Sequence, residues 1–266
     1  MSVRNIARKD LADAGRSKML WVVTGIVLLS TAGITGLLAA TSGMAAREVF
    51  ALSFQLAVTM LPIVALILAK GAITAERESG SLRVLLSLPP SRRDVLLGKL
   101  IGRTALMLVA TLVGGLATGL VVLTILGGTV GSLASFIGFL GLMSVAFVAL
   151  GVGISAGSAS DSRATAAAVG AYMILVALWN LIQTAIQYGA VELGLITAGS
   201  EPAWLQLVGL FPPNRAANAA YRATVEGQLF GTDPFASAWL PILVLLAWLF
   251  VPVTAGYLRF RDAQIG

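Results

Sequence analysis

Residues 76–99 read ERESGSLRVLLSLPPSRRDVLLGK, and the rest of the chain is best understood outward from them. Ahead of Lys99 this stretch holds seven ionisable side chains: Glu76, Arg77, Glu78, Arg83, Arg92, Arg93 and Asp94. Apolar runs flank it on both sides. The chain is 58% hydrophobic and only 11% charged, with a mean hydropathy of +0.92. Soluble chains carry about 25% charged residues, and one core cannot absorb this excess of apolar side chains. The class is therefore integral membrane protein, and the charged stretch is a polar segment between two spans.

A bilayer core about 30 Å thick needs roughly 20 apolar helical residues. Six runs qualify: Leu20 to Ala40, Phe50 to Ala69, Thr104 to Leu126, Phe136 to Ala156, Thr165 to Gln187 and Ala238 to Tyr257. They are continuous rather than alternating, so the spans are helices and not barrel strands. The first run is too long for the apolar part of a signal peptide, and no clear small-residue cleavage site follows it. The expected fold is all-α: a single polytopic domain over residues 1–266 with six transmembrane helices. The basic residues set its orientation. With the N-terminus in the cytoplasm, fifteen of the eighteen Lys and Arg lie inside, and only Arg47, Arg215 and Arg222 lie outside. Both termini are then cytoplasmic, in a prokaryotic cell membrane.

The pieces between the spans have their own patterns. Val3, Ile6, Ala7, Leu11 and Ala14 follow helical spacing, with Arg4, Arg8 and Lys9 mostly off that face. An N-terminal interfacial helix is expected there. The longest extracytoplasmic piece runs from about Tyr188 to Ser237. In it Pro212 and Pro213 break the chain and Asn214 can cap a helix reaching Glu226. Ala217, Ala220, Tyr221 and Val225 would share one face of that helix. Trp204 to Phe211, just before it, is apolar but too short to span, which suits an interfacial or re-entrant helix. The pairs Gly115 and Gly119, Gly127 and Gly131, and Gly153 and Gly157 sit four apart, a spacing that lets helices approach closely in lipid.

Much chemistry is excluded. The basic residues flank apolar runs instead of forming one soluble patch, so no nucleic acid partner is expected. The chain has no Cys and no His, which removes disulfides and thiolate or imidazole metal sites. The six assigned runs contain no Asp, Glu, Lys or Arg, against a proton-coupled or ion-coupled carrier and an intramembrane aspartyl protease. There is no P-loop and, without His, no H-E-x-x-H motif, so no catalytic residue, cofactor-binding residue or metal ligand is assigned. The polar span residues are Gln55, Asn180, Gln183 and Gln187, the last three on one helix face. They are either interhelical hydrogen-bonding groups or the lining of a substrate path.

The opening stretch then reads as an elbow. Glu76 to Ser79 continue the second span. Gly80 lets the chain turn. Ser81 to Leu88 form a short helix with Leu82, Leu85 and Leu86 on one side, ended by Pro89 and Pro90. Ser91 caps the next helix, with Asp94 completing a variant capping box. Such an amphipathic turn suits docking into a groove on another protein. Glu76, Arg77, Glu78, Gly80, Ser81, Leu82, Leu85 and Leu86 are the candidate contacts to a soluble partner. Arg92, Arg93 and Lys99 read as anchors at the membrane edge.

This stretch resembles the hallmark of ABC-2-type transporter permeases: a Glu-Arg-Glu-x-Gly-Thr-Leu element, then Leu-Leu, Pro, Ser-Arg and Leu-Gly-Lys. The chain supplies Glu76, Arg77, Glu78, Gly80, Leu82, Leu85, Leu86, Pro89, Ser91, Arg92, Leu97, Gly98 and Lys99, with Ser81 in place of the usual Thr. IARKDLADAGRSK at residues 6–18 is similar to the family's lead-in helix, and FPPNRAANAAYRA at 211–223 to its element before the last span. The resemblance implies a non-enzymatic permease subunit of an exporter, paired with a second copy and with two ATP-binding subunits that hold the ATP and Mg. Segment 81–88 would be the coupling helix, and GSASDSRATA, with Asp161 and Arg163, a second and smaller contact. Within the family the sequence is most similar to the subgroup containing the permease of the nitrous-oxide-reductase maturation system. That subgroup is linked to copper-site assembly, yet only Met offers a soft ligand here. A non-transporting scaffold for an assembly factor and an autonomous carrier remain the rival readings of the same elbow.

Overall fold

A computed structural model describes residues 3–16, 18–79, 91–127 and 129–262. All regular structure among the described residues is helical. Among the described residues, five helical stretches are long and apolar enough to cross a membrane: Lys18–Thr41, Ala46–Glu78, Arg92–Ile125, Val130–Gly157 and Trp239–Asp262. Asp161–Ala177 with Trp179–Glu192, bent by 60°, makes a sixth when the pair is taken as one span.

In chain order, α1 is Val3–Arg16. Helices α2 (Lys18–Leu28) and α3 (Ile34–Thr41) form the first crossing through a π-helical turn at Leu29–Gly33. The second crossing is α4 (Ala46–Lys70), continued after a short break by α5 (Thr74–Glu78). The third and fourth are α6 (Arg92–Ile125) and α7 (Val130–Gly157). The bent crossing is α8 (Asp161–Tyr172), a π-helical turn Met173–Ala177, and α9 (Trp179–Glu192). Two short helices follow, α10 (Ala203–Leu210) and α11 (Pro213–Val225), and α12 (Trp239–Asp262) completes the bundle.

Close helix contacts are made where small residues remove bulk. A Cβ on Gly115 would lie 2.5 Å from the Ile137 side chain, and one on Gly119 would overlap Leu133, so α6 and α7 interlock there. Gly153 of α7 meets the Pro252 carbonyl, and Gly256 of α12 meets Gly153 itself. The third expected pair differs: Gly127 has φ +67° and ends a helix, and both Gly127 and Gly131 face open space. Phe50, Phe54, Phe136 and Tyr221 form an aromatic cluster that ties α4 and α7 to α11, with Phe54 stacked on Tyr221 at 4.1 Å.

The N-terminal helix buries only part of its expected apolar stripe. Its buried residues are Ile6, Ala7 and Asp10, whereas Leu11 is exposed. It seats on the start of α6, where a Cβ on Gly98 would lie 2.7 Å from Ile6 and one on Gly102 would lie 2.6 Å from Asp10. The reason is electrostatic as well as apolar: Asp10 finds two cations on α6, which pulls its side of the helix inward. Helix α11 also begins differently. Pro213 takes the first helical position, which suits its fixed φ and missing N–H, so Asn214 lies inside the helix and does not cap it. The capping box at Ser91 forms as expected: the Ser91 N–H donates to Asp94 at 2.9 Å and the Asp94 N–H donates to Ser91 Oγ at 3.2 Å.

Candidate functional site

Two polar assemblies stand out in the apolar bundle, one at each end. The first lies at the end that carries α1 and the close of α12. There α4 stops at Lys70 and α5 runs on as Thr74–Glu78 beside the turn between α7 and α8. Ser155 Oγ accepts the N–H groups of Ile73 at 3.0 Å and Thr74 at 3.2 Å, donors that a helix start leaves without intrahelical partners. Lys70 Nζ reaches Asp161 at 2.5 Å and Thr165 at 2.7 Å. Thr74 donates to the same Asp161 at 3.0 Å. Arg77 donates to the Ser158 carbonyl at 2.7 Å, and Glu78 accepts the Asp161 N–H at 2.7 Å. Three consecutive turns of helix are thereby bolted to one loop.

The sequence candidates distribute unevenly over this end. Arg77, Glu78 and Asp161 come together. Glu76 does not face outward with them: it pairs with Lys99 at 2.6 Å. Lys99 is correspondingly no edge anchor, because its ammonium is buried between Glu76 and Asp10, the latter at 2.9 Å. Arg103 joins the same group through Asp10 at 3.1 Å. Two carboxylates and two cations neutralise each other, which is how buried charge is tolerated. Arg92 closes the far end of α12, donating to the Phe260 carbonyl at 2.5 Å and the Arg261 carbonyl at 2.9 Å. Arg93 is exposed at the mouth of an apolar groove between α6, α7 and α12. The Arg163 side chain is exposed, and its N–H donates to the Ser160 cap. Gly80, Ser81, Leu82, Leu85 and Leu86 lie outside the described residues.

The second assembly is a polar cavity of about 1070 Å³ towards the opposite end, walled by α4, α9, α10 and α11. Helix α11 runs antiparallel to α4. Arg47 and Glu226 pair at 3.6 Å near the rim, and Asn218 donates to Gln55 at 2.7 Å further in. Deeper again, Arg215 donates to Gln183 at 3.0 Å and to the Asn180 side-chain oxygen. Of the four path candidates, Gln55 and Asn180 line the cavity, Gln183 reaches it only through Arg215, and Gln187 does not line it. The bend makes this possible. The Leu178 N–H bonds back five residues to Met173 at 2.7 Å, the π-type slip that kinks helices. Trp179 then donates to the Val208 carbonyl at 3.1 Å and stacks on Phe211, fixing α9 against α10.

Sequence reasoning missed Asp10, Lys70, Arg103, Ser155, Arg215 and Asn218 as site members. Among the described residues, no group of three His, Cys, Asp or Glu side chains converges as a metal site.

A bundle of long apolar helices with a loop-clamped polar end and a polar cavity at the other end is that of a multi-pass membrane protein. The chain matches the ABC-2 family transporter protein family over residues 4–264 and belongs to it. It is 31% identical, over 96% of its length and 94% of the relative's, to the probable ABC transporter permease protein NosY of Pseudomonas aeruginosa. It is 30% identical to the protein of the same name from Stutzerimonas stutzeri, over 97% of this chain and 98% of that one. The chain is a multi-pass membrane permease subunit of an ABC transporter, a kind of subunit that is not itself catalytic.

Proposed function

We propose that the chain works as an exporter subunit, one of two copies that sit on two ATP-binding subunits, and that ATP and Mg act only in those subunits. The charge bias of the basic residues supports an orientation with α1, α5 and the Ser158–Asp161 turn in the cytoplasm. Segment 80–90 and that turn are then the surfaces on which the ATP-binding subunit presses.

The observation that carries this reading is the clamp of α5 to the α7–α8 turn through Arg77, Glu78 and Asp161. A force on α5 or on that turn moves both, because Lys70 and Thr74 also hold Asp161. Lys70 ends the helix that carries Gln55, and Asp161 begins the crossing that carries Asn180 and Gln183. Motion at the cytoplasmic end is thus delivered to both walls of the cavity, which we assign as the outer part of the substrate path. The cavity is where the rocking of two copies would change access.

Glu78→Ala in the reconstituted complex tests this reading. Membrane insertion and assembly should be unchanged, while transport per ATP hydrolysed falls several-fold. Unaltered transport per ATP would remove the clamp from the coupling route.

A further inference from the structure

We propose that the polar cavity takes a small anion, or the anionic group of a larger substrate, at Arg215. This rests on the cavity being the substrate path.

Depth is the first argument. Helix α4 has 25 residues, about 37 Å at 1.5 Å per residue. The Arg47–Glu226 contact marks its start and the Gln55–Asn218 contact lies eight residues further along both chains. Arg215 lies three residues deeper than Asn218 on α11, roughly 16 Å below the rim and close to the middle of α4. A cation at that depth is expensive and rarely idle. The second argument is pairing. The side-chain partners of Arg215 are the neutral amides of Asn180 and Gln183, and it makes no ion pair among the described residues. Each amide presents its oxygen to the guanidinium, which orients the fork without neutralising it. The third argument is the helix end. Helix α11 starts at Pro213, so the positive end of its dipole lies beside Arg215, although the Arg215 and Ala216 N–H groups are already bonded to the Pro212 carbonyl. Asn214 lines the cavity at 8% exposure, and its side-chain oxygen has no partner. That oxygen is itself an acceptor, so the amide serves an anion held at Arg215 by turning over to present its NH2 to the cavity. The charged lining residues are Arg215, Arg222 and Glu226, and Glu226 is engaged with Arg47, so the cavity favours negative charge.

The chain has no cysteine, so one introduced thiol reports cleanly. Ala219 lines the cavity one helical turn from Arg215. The Ala219→Cys chain, assembled with its ATP-binding subunit in nanodiscs, exposes both faces to reagent. Three methanethiosulfonates are compared, each rate normalised to a free thiol: a sulfonate, a quaternary ammonium and a neutral methyl reagent. The sulfonate should react about tenfold or more faster than the ammonium, given one unit charge within a helical turn. Arg215→Gln should abolish that ratio while leaving the neutral rate unchanged, and Arg215→Lys should restore most of it. Equal sulfonate and ammonium rates, untouched by Arg215→Gln, would overturn the anion site and leave a water-filled path. Failure of all three reagents to react would overturn the path reading and the anion site with it.

Discussion

Replacing Asp10 with Asn should undock α1 without unfolding the bundle. The Asp10 side chain is 3% exposed and touches Lys99 at 2.9 Å and Arg103 at 3.1 Å. Removing its charge leaves two cations facing Glu76, whose own side chain is 23% exposed. Breaking one member of a buried ion group costs about 3–5 kcal/mol. The chain can relieve that cost by lifting α1, which re-solvates the cations and exposes only Ile6 and Ala7 of its apolar residues. The lower figure, about 3 kcal/mol, therefore applies to docking, and it corresponds to roughly a hundredfold rise in the open population. Amide hydrogen exchange of residues 3–16 in nanodiscs reads that rise directly, while α6 and α7 should keep their protection. Asp13→Asn on the exposed side of the same helix is the control and should change exchange by less than about 0.5 kcal/mol. Unchanged exchange in Asp10→Asn would refute the view that this ion group holds the helix down.

Other outcomes follow from the same contacts. Gly153→Val places a side chain against the Pro252 carbonyl, and should lower thermal stability in detergent by at least about 2 kcal/mol; an unchanged melting temperature would mean that α7 and α12 are not packed this closely. Arg92→Ala removes two carbonyl bonds and the guanidinium 5.5 Å from the Phe260 ring, so the last turn of α12 should exchange its amides about tenfold faster. Asn218→Ala leaves Gln55 without its partner on α11 and should lower transport while leaving ATP hydrolysis intact, measured in proteoliposomes. Equal losses of both activities would place the effect on assembly instead.

The six crossings were legible because apolar length is a property of sequence alone. The start of α6 at Arg92, twelve residues before the apolar run at Thr104, was legible too, from the Ser91 cap; its seat under α1 at Gly98 and Gly102 was not. The bend at Leu178 carried no signal: no Gly or Pro lies in Met173–Ala177, and the slip is fixed by tertiary partners of Trp179 and Asn180. Charge roles misled for a related reason. Glu76 and Lys99 sit in a polar stretch, and polarity alone suggests a surface; only the arrival of Asp10 from the N-terminus turns that pair inward. Arg215 was counted as an outer cation because it lies in the long piece between the fifth and sixth apolar runs. Its distance from any carboxylate partner could be seen only once α4, α9 and α11 were brought together.

The central claim is that this permease is driven by a separate ATP-binding subunit docked on the end that carries α5 and the Ser158–Asp161 turn. The most direct test is gentle extraction of the tagged chain from its native membrane and identification of the chains that come with it by mass spectrometry. The account predicts a P-loop ATPase in equal stoichiometry, lost when Arg77 and Glu78 are both replaced by Ala. Repeated recovery of the intact permease with no ATPase would contradict it.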